Sequence, residues 1–423
     1  MLLRKSPEEI ARRASVSIDA ATLHGAQGIL DEVRSGGEAA LRRVAERLGD
    51  VKPSEPLVFD RAAIANAAAR VPREQVELLE RTASRVRAFA QAQRDALRPL
   101  DMAVPGGRAG HFIAPMDAAG CYAPGGRYPL PSSVLMTAIT ARVAGVKTVV
   151  VTSPKPAPVT IAAAHVAGAD MLLAVGGAQA IGAMAFGIAS TTPAIPRCDV
   201  IVGPGNRWVT AAKKLVQGEV AIDMLAGPSE LLIIADDSAD PATVAADLLA
   251  QAEHDTDAVP TLVTISESLA TRVSAELEKQ LATLPTAATA RAALNNGGFV
   301  LASSIDDAIS VADRVAPEHL QVMTRDARAV TERLRHYGAV FIGSRSAEIF
   351  GDYGVGPNHV LPTAGTARFS AGLSVFHFLR IRTWLEMNAD ASEVSRAVTD
   401  AAALARLEGL EAHARAAEQR LQR

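Results

Sequence analysis

The sequence predicts an α/β protein built on mostly parallel sheets, and three observations carry that prediction. Short β-branched runs alternate with Ala-rich stretches of helical periodicity, the pattern of βαβ units. Hydrophobic residues make up 49% of the 423 residues, enough to bury a sizeable core and to cover a parallel sheet on both faces. No fixed-period repeat or low-complexity linker interrupts the alternation. At about 150 residues per domain, this length corresponds to about three domains or lobes.

Taken in order, the first clear element is a helix over 72–97. There Val76, Leu79, Ala83, Val86 and Ala90 recur every three or four residues, and Pro99 marks the end. Strand runs follow at 148–152, 171–175, 200–202, 231–235, 261–265, 298–302 and 339–343. Helical patterns lie between them at 132–144, 178–186, 209–216, 241–254 and 269–282. From Trp384 onward the chain carries no strand signal and reads as helices only. A helical piece that follows an α/β body in this way is expected to dock on that body or on a partner subunit.

Composition excludes several function classes. A net charge of −3 with scattered arginines gives no electrostatic footprint for nucleic acid or anionic membrane. Two cysteines, Cys121 and Cys198, make no disulfide framework and no Cys-rich zinc module, which points to a reducing compartment, the cytoplasm. The first residues meet charge at Arg4 and lack the apolar core of a signal peptide. The stretch 171–196 is uncharged and long enough to span a bilayer, but its four glycines, two prolines and Gln179 fit a buried strand–loop–helix better.

Three Gly-rich turns punctuate the body: Ala123-Pro-Gly-Gly-Arg127, Val175-Gly-Gly-Ala-Gln179 and Gly203-Pro-Gly-Asn206. Each lies between a strand and a helix, where backbone N–H groups can face an anion. None matches G-x-G-x-x-G or a P-loop, and taken singly each is an ordinary tight turn. Together, beside Tyr122, Gln179 and Asn206, they fit a loosely held nucleotide.

Among nine histidines, four stand with chemical company. Gln251 and His254 lie three apart on a predicted helix that opens with Asp240 and Pro241, which puts them about 60° apart on one face, as a metal chelate requires. Glu253 and Asp255 remain alternative partners. Ala316-Pro-Glu-His-Leu320 sets a carboxylate beside an imidazole just after a helix, and the two reach one site only if the backbone bends there. Histidine accepts a proton near neutral pH and a glutamate beside it can activate water, although a surface Glu-His pair reads the same way in isolation. The Gly351–Pro362 stretch, dense in glycine and proline, reads as a loop carrying Asp352 and His359. Glu408 and His413 lie in the helical tail, about 140° apart on a continuous helix, and converge only if Gly409 breaks it. Gln251, His254, Asp352 and His413 together supply O and N ligands without a thiolate, a set suited to zinc among other divalent ions.

At this point the sequence resembles the histidinol dehydrogenase family, whose enzymes catalyse the last step of histidine biosynthesis. The resemblance rests on CYAPGGRYPLPSSVLM (121–136), GGAQAIGAMAFG (176–187), VGPGNRWVTAAKK (202–214), DMLAGPSELLIIAD (223–236), LLAQAEHD (248–255), APEHLQV (316–322), GDYGVGPNHVLPT (351–363) and EGLEAH (408–413). It implies an enzyme that uses zinc and NAD to oxidise L-histidinol to L-histidine in two hydride transfers through a bound aldehyde. Gln251, His254, Asp352 and His413 would hold one Zn2+ per subunit and contact the substrate. Glu318 and His319 would be the acid/base pair, with His319 also touching the substrate. Ser229, His359 and Glu408 would complete the substrate pocket, and Tyr122, Gln179 and Asn206 would touch NAD.

The resemblance also implies an intertwined homodimer of Rossmann-like lobes whose tails complete each other's sites. The expected organisation is an N-terminal helical extension (1–20), a main lobe for zinc and substrate (21–121 with 229–373), a second lobe on the NAD side (122–228), and a helical tail reaching the partner (374–423). A paralogous zinc/NAD dehydrogenase of another small polar alcohol, such as a sulfonated diol, would keep the metal set and the acid/base pair. It would alter the residues that read the imidazole, and the presence of Glu408 and His359 favours histidinol. Small departures are the Thr-Asp-Ala-Val-Pro260 run after the QAEHD segment, and Val355 where small residues are frequent.

Overall fold

The computed structural model describes residues 2–11, 18–125, 128–387 and 391–421. The Gly126-Arg127 step of the first Gly-rich turn lies outside these residues. Two parallel sheets organise the body. The six-stranded sheet runs, in spatial order, Val58–Asp60, Met171–Leu173, Thr148–Thr152, Ala118–Tyr122, Val200–Val202 and Ala221–Ile222, with only the first strand antiparallel. The five-stranded sheet runs Gly298–Leu301, Val259–Thr264, Glu230–Ala235, His319–Met323 and Ala339–Ile342, all parallel. Their central strands are buried along their whole length. Only Glu230–Ala235 of these reads as an apolar run in the sequence; Ala118–Tyr122, interrupted by Gly120, and His319–Met323, interrupted by Gln321, are central strands that the sequence pattern does not predict.

Residues 21–121, expected with the zinc-and-substrate lobe, instead contribute two strands and covering helices to the six-stranded sheet. Val58–Asp60 and Ala118–Tyr122 are two of its strands. The helix Ala20–Arg47 buries Ala26, Leu30, Val33 and Leu41 against Ile181, Met184 and Ile201. The helix Arg73–Asp95, whose apolar stripe is legible in the sequence, buries Leu79, Ala83, Val86 and Ala90 on the opposite face.

A second correction concerns the tail. Leu379–Met387, which includes Trp384, is a strand and not a helix, paired antiparallel with Gly107–Pro115, itself paired with Leu100–Val104. The physical signal is an alternation, Leu379, Ile381, Thr383, Leu385 and Met387 on one face. That face stays largely exposed, together with Leu100 and Met102. Helices follow only afterwards, at Ala391–Leu407 and Glu411–Glu418, separated by Gly409 in the left-handed region (φ 76°). Among the described residues no helix is long and apolar enough to cross a membrane.

Candidate active site

Two pockets lie on either side of the loops that follow Tyr122 and Val202. The larger, about 550 Å³, is lined by Tyr122, Gly125, Pro154, Gly176, Gly177, Gln179, Asn206 and Trp208 together with Asp50 and Lys155. It opens at the carboxyl ends of the six-stranded sheet. The chain leaves Ala118–Tyr122 toward one edge and later returns to Val200–Val202 on the other side, so the loops after these two strands diverge. This is the switch-point crevice where open α/β sheets bind ligands. Several of its polar side chains bond the surrounding backbone or one another. The Tyr122 hydroxyl, raised to about 12 by burial and so protonated, accepts from Gly177 N (3.2 Å). Asp50 Oδ2 accepts from Gly176 N (2.9 Å) and Gln179 Nε2 (2.8 Å). Asn206 caps the helix Arg207–Val216 through Trp208 N and Val209 N. Gln179 Oε1 is buried without a partner.

The smaller pocket, about 260 Å³, collects Ser229, Gln251, His254, Glu318, His319, Glu348, Asp352 and His359. It sits at the amino ends of the central strands of the five-stranded sheet, because Glu230 and His319 are the first residues of their strands. The left-handed Ala316 (φ 51°), after the helix Ile305–Val315, supplies the bend that brings Glu318 and His319 to one site. One residue orients both: Glu230 N–H donates to Glu318 Oε2 (2.9 Å), and the Glu230 carbonyl accepts from His319 Nδ1 (3.1 Å). With Nδ1 committed, His319 Nε2 faces the pocket, buried and without a hydrogen bond, 3.5 Å from Asp352 Oδ1. His359 Nδ1 donates to the Asp352 carbonyl (2.8 Å), and its Nε2 lies 3.4 Å from Ser133 Oγ.

The electrostatics follow from crowding carboxyl groups in a dry place. Burial pushes Glu318 up to about 8, against the pull of His319, and burial does the same to Glu348. Glu230, behind the pair, is raised by burial to about 7. Burial alone would lower His319, but Glu348, Glu318 and Asp352 outweigh it and hold the imidazole well above its ordinary range. Burial opposes ionisation of Asp352, yet His319 beside it keeps that carboxyl below its ordinary value. Burial lowers His359, which stays neutral.

The same cluster fits a divalent ion. His254, Glu348 and Asp352 each offer a ligand atom, and these atoms lie within 4.8 Å of one another. His254 Nε2 is 3.6 Å from Asp352 Oδ2 and 4.0 Å from Glu348 Oε1. Gln251 is fully buried, and neither its amide oxygen nor its nitrogen has a partner. A buried amide oxygen left unsatisfied beside an imidazole and carboxylates is a ready donor for a cation.

The sequence pattern misses some of this. Glu348 sits four residues before Asp352 on a short helix, Glu348–Asp352, so both carboxylates share a face, whereas the pattern reads the stretch from Gly351 as loop. The available signal is the i,i+4 acid pair. The helix carrying Gln251 ends at Ala252, so His254 lies beyond it, in a turn closed by His254 N to Gln251 O (3.4 Å). Glu408, in the turn between the tail helices, and His413, on the second of them, are exposed and line neither pocket of their own chain. Both cysteines are buried, with Cys121 raised to about 12 by burial and Cys198 raised further, so neither is a nucleophile at neutral pH.

Comparison with known proteins identifies the family of the chain. The family model described as histidinol dehydrogenase matches residues 12–421. The histidinol dehydrogenase of Thermus thermophilus is 44% identical over 411 residues, covering 96% of this chain and 97% of that protein. That of Geobacillus kaustophilus is 44% identical over 417 residues, covering 96% of each. The crystal structure of histidinol dehydrogenase from Elizabethkingia anophelis superposes with a TM-score of 0.91 at 31% identity, covering 99% of this chain and 97% of that one. By that family match and these similarities over nearly its whole length, this chain belongs to the histidinol dehydrogenase family.

Proposed function

We propose that the protein oxidises L-histidinol to L-histidine in two successive steps in the smaller pocket, with NAD in the larger one. The observation that carries this reading is His319: its Nδ1 is committed to the Glu230 carbonyl, so the buried Nε2 is the ring atom that can exchange a proton with a substrate hydroxyl. NAD held in the larger pocket would supply the hydride acceptor for each step. Gln251, His254 and Asp352, with His413 from a second copy, would hold a divalent ion such as zinc, which would supply positive charge to offset Asp352 and a Lewis acid for nitrogen donors of the substrate.

His319, relieved of part of the negative field around it, takes the hydroxyl proton at Nε2 as hydride leaves the adjacent carbon, giving the aldehyde. Glu318, raised to about 8, is suited to exchanging a proton with water near neutral pH. It polarises the water that adds to the aldehyde. His319 then takes a proton from the hydrate as the second hydride leaves, giving the carboxylate. Ser229 and His359 wall the pocket, and neutral His359 with Nδ1–H committed presents Nε2 as an acceptor. Each turnover consumes two NAD and one water and yields two NADH.

The tail supports a dimer that shares its sites. Arg406 pairs with Glu411 and Glu418, so the two tail helices are pinned to each other, while Leu404 and Leu407 stay exposed. The apolar face of the three-stranded sheet, Leu100, Met102, Ile381, Leu385 and Met387, offers a second copy a surface to cover. The test is the NADH formed per histidinol consumed. A ratio of two is expected; a ratio of one, with aldehyde accumulating, overturns the double oxidation.

A further inference from the structure

The most deeply buried ion pair of the described residues lies outside both pockets, at the seam between them. Lys213, on the helix Arg207–Val216, and Asp223, just after the strand Ala221–Ile222, have side chains 2% and 0% exposed. Their remaining hydrogen-bonding capacity goes to one turn. Lys213 Nζ donates to the Gly203 carbonyl (3.0 Å), Asp223 Oδ2 accepts from Gly203 N–H (2.7 Å), and Asp223 Oδ1 accepts from Met224 N–H (2.7 Å) and from Lys213.

Gly203 is thus gripped at both ends of its backbone, and its other side is pressed against the cofactor pocket. Its φ is 114°, and a Cβ there would lie 2.0 Å from the Tyr122 carbonyl oxygen. The turn that starts at Gly203 carries Asn206 into the larger pocket and Pro204 and Gly205 into the smaller one. The segment that starts at Asp223 runs to Met224, Ala226, Gly227 and Ser229, all on the wall of the smaller pocket. Thr210 Oγ1 ties the same helix to that segment through the Ala226 carbonyl (3.0 Å).

We propose that Lys213 and Asp223 are positioning residues: the buried pair clamps Gly203 and so holds the Asn206 turn in the conformation that binds the dinucleotide. This rests on the reading of the larger pocket as the NAD pocket. A pair of opposite charges taken out of water is a weak source of stability, since an apolar pair of like volume serves as well, while removing one partner is costly. What an apolar pair cannot do is hold a carbonyl and an N–H of the same glycine.

That difference sets the test, with Lys213→Met, Asp223→Asn and the double variant. Each single variant loses stability in urea. The double variant, with no unpaired charge, recovers much of the stability that each single variant loses, since the amide oxygen introduced at position 223 still accepts from Gly203 N–H, while the Gly203 carbonyl and Met224 N–H lose their partners. Its KM for NAD rises at least tenfold, while its KM for the alcohol changes less than threefold. A double variant with that stability and a wild-type KM for NAD overturns the proposal. If the double variant does not recover stability, Lys213→Gln decides, since it keeps an N–H for the Gly203 carbonyl without the charge. Its KM for NAD is expected at least threefold below that of Lys213→Met, and equal values overturn the proposal. Calorimetric titration of the wild type with NAD separates the two levels: no binding there sinks the pocket assignment, not the clamp alone.

Discussion

The two pockets stand at opposite ends of their strands, and they handle polar groups in opposite ways. The larger lies at the carboxyl ends of a mostly parallel sheet, and among the described residues Gln179 Oε1 is its single buried side-chain polar atom without a partner. The smaller lies at the amino ends of another sheet and keeps polar atoms without partners: Gln251 Oε1 and Nε2, His319 Nε2 and Glu348 Oε2. Buried polar atoms are normally satisfied, so a group of orphans marks where something from outside must complete the bonding. One pocket is nearly satisfied within the fold, and the other keeps buried donors and acceptors for a group from outside.

Breaking the unfinished pocket should have the largest effect. Dialysis against a strong chelator should abolish turnover, and zinc or another borderline divalent ion should restore it. His254→Asn should lose the metal with little change in folding, because its side chain is 40% exposed beyond a helix end. Full activity in metal-free protein contradicts this. Next come the two neighbours that Glu230 orients. His319→Asn should slow both oxidations by about 10² to 10⁴, the range typical of a removed general base. Glu318→Gln should slow mainly the aldehyde-to-acid half, read with free aldehyde as substrate. Equal losses on both halves in the two variants would break the division of labour.

The smallest effect is on stability, behind the pair. Glu230 has its folded pKa raised to about 7 from an ordinary 4.5, so the folded state binds its proton more tightly than the unfolded chain. Its ionisation therefore weakens the fold as pH rises from about 4.5 to about 7, with the loss complete above that window. Glu230→Gln keeps an acceptor for Ala364 N–H, which now bonds Oε1 at 2.9 Å. It should be more stable than wild type at pH 8 by about 1–3 kcal/mol, with little difference at pH 4.5. Urea midpoints at the two pH values check this, and parallel pH profiles would refute it.

The same contrast explains what was legible in the sequence. The finished pocket is made of backbone turns, and glycine beside Asn206 or Gln179 signals a turn whatever fills it. Its place at the carboxyl ends follows from strand order, which single residues do not reveal. The unfinished pocket was legible through chemistry, since Glu318-His319 and the Gln251 and His254 pair are unusual whatever the fold. Glu348 was missed because a glycine-rich stretch hid one helical turn, and the strand Leu379–Met387 because its alternating apolar face lies exposed and so resembled no core strand. The role of Glu230 was invisible for a different reason: its backbone, not its side chain, orients the pair.

The central claim is that the smaller pocket is completed by another copy's tail, and one measurement addresses it directly. An inactive His254→Asn chain and an inactive His413→Asn chain are mixed, dissociated and re-annealed. If tails are exchanged, each mixed dimer has one site with both lesions and one intact site. Random assortment makes about half the dimers mixed, so about a quarter of wild-type activity should return. If each tail serves its own body, every site keeps one lesion, activity stays at background, and the shared site is contradicted.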